Sequence, residues 1–267
     1  MSRPPVAAVS ESLLAFWAEA GVDAALLETP VDRIAEGQRP LAPRSTPPTP
    51  LRPTGGGAAV RPPSIHAARA AAAACTDLAA LGAAIEAFEG CPIRFEGAAS
   101  RSVFARGPAD APVVVIGEAP GAEEDRAGQP FVGKAGRMLD RMLEAIGLTD
   151  RVFITNTVFW RPPGNRTPTP EEQQTCKPFV EQAIRLVGPR MLLLVGAPAT
   201  RCMLDQTEGI NRLHGRWFEW RTAEGDLEIP ALPTFHPAFL MRQPTAKALA
   251  WADLKIFAER LNRSSRP

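Results

Sequence analysis

Three segments of the sequence combine residue types suited to chemistry on a flat, polar, uncharged group. The first is Gly117-Glu118-Ala119-Pro120-Gly121, with Glu123, Glu124 and Asp125 behind it and then Gly128-Gln129-Pro130-Phe131-Val132-Gly133, all directly after the apolar run Val113-Val114-Val115-Ile116. A glycine-rich turn at the end of a strand lets backbone close on a ligand. Carboxylates in such a turn would repel a phosphate, and the single aromatic offers a stacking face. The second segment, Thr155-Asn156-Thr157 through Arg161-Pro162-Pro163-Gly164-Asn165-Arg166, leaves a strand and enters a rigid turn; the third, Thr234-Phe235-His236-Pro237 through Leu240-Met241-Arg242, does the same later in the chain. Taken singly each has a plainer reading. Glycine and proline punctuate ordinary turns, Phe131 suits a core, Asn156 at a strand end can satisfy backbone groups, and a histidine before proline is a common turn residue.

The elements that must position these residues alternate. Apolar strands are expected at 112–117, 152–158, 190–195 and 229–234, with helices at 134–147, 170–187, 198–205 and 245–261 and a polar hairpin-like region through Trp217 and Trp220. The helix at 170–187 opens on Thr169-Pro170-Glu171-Glu172, a capping box with proline in the first turn, and closes at Gly188. Continuous apolar strands alternating with helices predict a three-layer α/β/α domain around a central, mostly parallel four-stranded sheet, whose ligands sit at the carboxyl ends of the strands. All three segments lie at those ends. Ahead of this domain, residues 9–20 place Leu13, Phe16, Trp17 and Ala20 at helical spacing, so 1–36 reads as a helical extension. Residues 37–63 are rich in proline and glycine and poor in large apolar groups, which predicts a disordered linker. The alanine-rich run 64–89 predicts a helix that begins a domain extending over 64–267.

The chain has 267 residues, a hydrophobic content of 45% and a net charge of +1, enough to bury a substantial core. A near-neutral balance excludes a polybasic coat, so nucleic acid would have to be met by local arginine and lysine clusters. No apolar run reaches membrane-spanning length and no signal-type core follows the first residues, so the cytoplasm is the default location and a monomer the default state. A nucleotide-phosphate enzyme is disfavoured: no GK[ST] follows the glycine turn and no strand leads into GxGxxG.

In order and spacing, the three segments resemble those of the family 4 uracil-DNA glycosylases, which carry GEAPG-xxED-xxGxPFVGxAG, N-x-x-x-x-RPPGNR and HP-x-x-L-x-R. The likeness spans about residues 88–261. It implies an enzyme that extrudes uracil from single-stranded DNA or a U:G duplex and hydrolyses its N-glycosidic bond, needing no cofactor for the chemistry. By this resemblance Phe131 is the stacking floor beside Gly117 and Ala119, Asn156 reads the base edge, and His236 donates to uracil O2. Glu118 and Glu124 form an acidic pair that orients water and stabilises positive charge on the sugar. Leu240 is the wedge that fills the vacated stack, and Arg161, Arg166 and Arg242 contact phosphates. His214 and His66 are left as structural or surface residues. No histidine follows Arg166 in the loop to attack the sugar, so no covalent adduct is expected.

The cysteines depart from the family pattern. Members hold a [4Fe-4S] cluster through a C-x-x-C pair, a cysteine in the helix after the RPPGNR loop and one near the next strand. Cys91 and Cys176 match two of these, but Phe88 stands at the first position and the strand 191–195 has no thiol. Cys75 and Cys202 are poorly placed to substitute, so the cluster is expected to be absent. Phe159-Trp160 replaces the Lys-Cys usual before Arg-Pro-Pro, and two large aromatics there are expected to alter the groove beside Asn156. The competing reading from another class is a non-catalytic DNA-binding or adaptor protein, with the N-terminal helix tethering a repair partner.

Overall fold

The computed structural model describes residues 65–263. The expected helix at 9–20 and linker at 37–63 lie outside the described residues. Within them, strands β1 (Ala105–Arg106), β2 (Val113–Gly117), β3 (Val152–Asn156), β4 (Met191–Val195), β5 (Phe218–Arg221) and β6 (Glu228–Thr234) form one six-stranded sheet in the order β1-β3-β2-β4-β6-β5. The four central strands are parallel, as anticipated. Two antiparallel edge strands, β1 against β3 and β5 against β6, extend it beyond the four expected. β1 is only two residues long and carries no periodic signal, and β5 falls in the region read as hairpin-like.

Both faces of the sheet are covered, and alternation along each strand divides the core in two. Val114, Ile116, Leu192 and Leu194 face helices α1 (Ile65–Ala73), α2 (Leu78–Ala87) and α5 (Pro170–Val187). Val113, Val115, Leu193 and Leu232 face the opposite layer, which holds Leu139 and Leu143 of α4 (Lys134–Glu144) and Leu254 and Phe257 of α9 (Lys247–Arg263). Burial of each such side chain contributes about 1.5–3 kcal/mol, so these continuous apolar strands are stable only where helices sit on both faces.

The alanine-rich run is two helices, not one. Asp77 caps α2 by accepting from the Ala80 amide at 2.8 Å, and the chain turns between Ala73 and Leu78. A cap of this kind is worth about 1 kcal/mol, enough to restart a helix where propensity alone would continue it. α5 begins as its sequence demands: the Thr169 hydroxyl accepts from Glu172 N and the Glu172 carboxylate accepts from Thr169 N.

Strand register brings the loops together. Gly117 pairs with Asn156 across β2 and β3, and Val195 pairs with Thr234 across β4 and β6. The four parallel strands therefore end nearly level, and the next residues, Glu118, Thr157, Gly196 and Phe235, open onto one edge. Short helices α3 (Ala122–Ala127), α6 (Ala197–Leu204), α7 (Ile210–Leu213) and α8 (Pro237–Arg242) complete the fold.

Candidate active site

At that edge lies a cavity of about 690 Å³, lined among others by Glu118, Glu124, Phe131, Asn156, His236 and Arg242. Residues from all three segments thus face one space. Gly117 sits beneath it, and the reason for a glycine is spatial. A Cβ there would come within 2.4 Å of Phe131 Cζ and 2.5 Å of Asn156 Oδ1.

Phe131 adopts a left-handed backbone conformation with φ 55°, a sparsely populated region for a bulky residue. Its surroundings hold it there. Arg106 on β1 donates from Nε to Pro130 O at 2.9 Å and from Nη2 to Phe131 O at 3.3 Å, and it also binds Asp140. Gly136 allows close approach, since a Cβ would lie 1.7 Å from Phe131 O. The Phe131 ring, 6% exposed, tilts at 33° to the His236 imidazole with centroids 5.8 Å apart.

Glu124 is occupied in a way its sequence position did not suggest. Its carboxylate accepts from the backbone amides of Gly121 at 3.1 Å, Val132 at 3.0 Å and Gly133 at 2.8 Å. It ties the Gly117 turn to the Phe131 loop through both of its oxygens. Glu118 has no such side-chain partner among the described residues, while its carbonyl accepts from the Thr157 hydroxyl at 2.7 Å. Gln173 on α5 donates to that hydroxyl at 3.1 Å and fixes it.

Asn156 is 1% exposed, and its Oδ1 has no hydrogen-bond partner among the described residues. A buried unsatisfied acceptor costs about 1–3 kcal/mol, so one at the wall of a cavity marks a place where a donor is to arrive. His236 caps α8, its Nδ1 accepting from Ala238 N at 3.2 Å. An accepting Nδ1 leaves the ring proton on Nε2. Burial, reinforced by the Arg242 charge and only partly offset by Glu124, lowers the imidazole pKa to about 4, so the ring is a neutral donor at neutral pH. Gly196, at φ 95°, leaves room for His236, since a Cβ there would lie 3.0 Å from His236 Cβ.

Other expected site residues are placed differently. Leu240 is 1% exposed and packs with Phe235 and Ala250, so it cannot enter a base stack without leaving its core; Met241, beside it, is 42% exposed. The helical turn of α8 sends position 240 inward. Arg166 lines the cavity, but its guanidinium is engaged by Glu172 at 2.7 Å and Glu96 at 2.9 Å and serves to anchor its loop to α5. These carboxylates raise its pKa further. Arg161 donates to Asn165 Oδ1 at 2.8 Å and does not line the cavity. Phe159 and Trp160 do not alter a groove beside Asn156: they are 0% and 2% exposed, with Phe159 packed edge-on against Phe179 and Phe104. His214 is structural, bonded through Nδ1 to Asp253, which also accepts from the Thr234 hydroxyl at 2.9 Å. His66 lies exposed on α1. Arg106 and Gln173 were missed, because each acts through contacts between residues far apart in sequence.

The residues near Cys91 and Cys176 do not fit a [4Fe-4S] cluster. The two sulfurs are 3.7 Å apart, with Cys176 donating. That contact lowers the Cys91 pKa and holds Cys176 well above the usual thiol value. Phe88 packs its ring edge-on against Phe179 with centroids 5.1 Å apart, closing the space with aromatic carbon. The Cys75 thiol is turned to the Ala71 carbonyl, and burial pushes the Cys202 thiol up to about 12. Among the described residues no three His, Cys, Asp or Glu side chains form a group that could hold a metal ion. Nor is any described helix long and apolar enough to cross a membrane.

Comparison with known proteins gives the arrangement its relatives. Residues 104–255 match the Uracil DNA glycosylase superfamily. A Type-4 uracil-DNA glycosylase of Pyrobaculum aerophilum is 37% identical over 150 residues, covering 54% of this chain and 76% of that protein. The Thermotoga maritima protein of the same description is 37% identical over 154 residues, covering 57% and 77%. That of Sulfurisphaera tokodaii is 34% identical over 166 residues, covering 60% and 74%.

Proposed function

The chain belongs to the uracil-DNA glycosylase superfamily and is related within it to the type-4 enzymes, and from that premise we propose that it rotates uracil out of DNA and hydrolyses the bond between N1 of the base and C1′ of the deoxyribose. The observation that carries this reading is that Asn156, whose buried Oδ1 has no partner among the described residues, lines the same cavity as a neutral His236.

The extruded base rests against Phe131. Asn156 Oδ1 accepts from uracil N3–H and its amide donates to O4; cytosine presents the opposite order at both atoms and is rejected. As the C1′–N1 bond breaks, its electron pair moves onto the base and negative charge gathers at O2, where His236 Nε2–H donates. A neutral donor suffices, because the charge it meets develops only in the transition state. Glu118 orients the water whose oxygen bonds to C1′; the proton that this water gives up passes by way of solvent to N1 of the departing uracil anion, leaving neutral free uracil and an abasic site. Glu124 acts one step back, by holding the Gly117 turn and the Phe131 loop in register. Arg242 supplies positive charge beside the cavity for a phosphate.

This chemistry needs no metal, and in this chain Phe88 and its aromatic neighbours take the place of the cluster, so purified protein is expected to carry no iron and to lack absorbance near 400 nm. Stoichiometric iron that is lost on changing Cys91 or Cys176 to alanine would overturn that part. The activity itself is tested by incubating the protein with uracil-containing single-stranded and U:G oligonucleotides, followed by alkaline cleavage. Strand scission at the uracil position is expected; intact strands from both substrates would leave the adaptor reading in its place.

A further inference from the structure

A second cavity, of about 510 Å³, opens on the far side of α8 from His236, between α4, α8 and α9. Its floor is apolar, built on Met138, Met142 and Leu254, and two large apolar side chains stand open to solvent beside it: Trp251, 43% exposed, and Met241, 42% exposed. Its rim carries Lys134, Arg137, Arg141 and Lys247, and no carboxylate lines it. Arg137 lies 3.7 Å from Glu123, whereas Lys134, Arg141 and Lys247 form no ion pair among the described residues. In a chain of net charge +1, unpaired cations gathered around an apolar trough are a local departure from balance.

The trough and the site already described share the walls α4 and α8, each lying on its own face of those helices. Lys134 adjoins Ala135 and Met241 adjoins Arg242, and both of those neighbours line the first cavity. Only the width of α8, roughly 10 Å, lies between the two cavities, a distance that a strand with one nucleotide turned into the first cavity can cross. Lys134 and Arg141 lie seven residues apart on one helix face, a separation of roughly 10 Å, which matches one or two phosphate steps of an extended strand.

Resting on the uracil-excision reading, we propose that this trough carries the DNA strand on one side of the extruded nucleotide. Lys134, Arg141 and Lys247 meet successive phosphates, and Trp251 with Met241 provides a platform for an unpaired base. Aromatic faces beside a cationic track are how single strands are held without regard to sequence. The trough therefore favours single-stranded substrate over duplex.

The test is fluorescence anisotropy with a single-stranded oligonucleotide containing no uracil, titrated across salt concentrations. Each phosphate contact to a single strand contributes a slope of about 0.7 in log affinity against log salt, or roughly fivefold at 0.1 M. The triple variant Lys134→Gln/Arg141→Gln/Lys247→Gln should lose about 2 units of slope and bind roughly 100-fold more weakly at 0.1 M salt. A control of equal charge change elsewhere, Arg69→Gln/Arg221→Gln/Arg263→Gln, should keep the wild-type slope. Trp251→Ala should weaken binding about 10-fold and Trp251→Phe restore most of it. On uracil-containing strands these losses should fall on KM and not on kcat. Unchanged affinity and slope in the triple variant, or an equal loss in the control, overturns the assignment, as does capture of an acidic peptide by the trough with DNA affinity unaltered. Because the binding measurement uses no uracil, it stands apart from uracil release by the wild-type protein, whose absence would overturn the excision reading alone.

Discussion

Replacing Asn156 by alanine separates the work of a base reader from the work of a core residue. In the folded protein Oδ1 is buried without a partner, a cost of about 1–3 kcal/mol that a bound uracil would relieve. Truncation removes that cost and loses the packing of a small buried side chain, of similar size, so the two nearly cancel. The melting temperature should stay within about 3 °C of wild type, given 2–4 °C per kcal/mol for a domain of this size. Activity should behave otherwise. Two hydrogen bonds to the base disappear, and N3–H and O4 are left desolvated against methyl carbon, which together is worth about 4 kcal/mol, or roughly 1000-fold in kcat/KM. Uracil release from a labelled oligonucleotide measures the second quantity and circular dichroism melting the first. Activity within tenfold of wild type, or a melting temperature lowered by more than about 8 °C, would refute the reasoning: the first removes the reading role and the second makes Asn156 a structural strut. Asn156→Asp should also be weak on uracil, since a carboxylate repels O4, and should shift preference toward cytosine, whose amino group it can accept.

His236 titrates near pH 4 when folded against about 6.5 unfolded, so the acid limb of kcat/KM should lie near pH 4; a limb centred at 6.5 would mean that the charged ring is the active form. The sign for stability follows from proton uptake: above pH 6.5 the group is neutral in both states, and as pH falls toward 4 only the unfolded chain gains the proton. The fold should thus lose up to about 3 kcal/mol over that window, a loss absent from His236→Asn in acid melting curves. Gly117→Ala places a methyl 2.4 Å from the Phe131 ring and 2.5 Å from Asn156 Oδ1, and should reduce kcat/KM at least about 100-fold while costing about 1–3 kcal/mol of stability; near-wild-type kinetics would show that the two side chains can move aside without consequence. Glu124→Gln replaces one of the two accepting oxygens by an NH2, so at least one of three backbone N–H groups is left facing a donor, and it should lower the melting temperature by about 4–8 °C along with activity. An unchanged melting curve would remove it from the clamp.

What the sequence made legible is what rests on local chemistry. The parallel strands and helices α4 and α5 are strongly patterned, and register then forces loops at the strand ends to share an edge, so Glu118, Phe131, Asn156 and His236 could be grouped before any coordinates. Direction of side chains beyond a strand end was not legible. Phe159 and Trp160 follow β3 where alternation no longer applies, and they turn into the core beside Phe179. Leu240 belongs to a six-residue helix too short to show periodicity, and only its packing on Phe235 and Ala250 reveals its burial. Arg166 carries the expectation of a phosphate contact and Arg106 carries none, because their partners, Glu96, Glu172 and the carbonyls at 130 and 131, are set by the fold.

The antiparallel margins of the sheet bear on how the protein behaves when crowded. On one side β1 offers two residues, and the Arg106 side chain is already committed to neighbouring groups. On the other, β5 alternates Glu219 and Arg221 outward, held by Arg260 and Glu228, with Trp220 turned in. Neither border presents a long, bare, apolar ribbon on which another chain could template, so self-association through strand addition is disfavoured at high concentration.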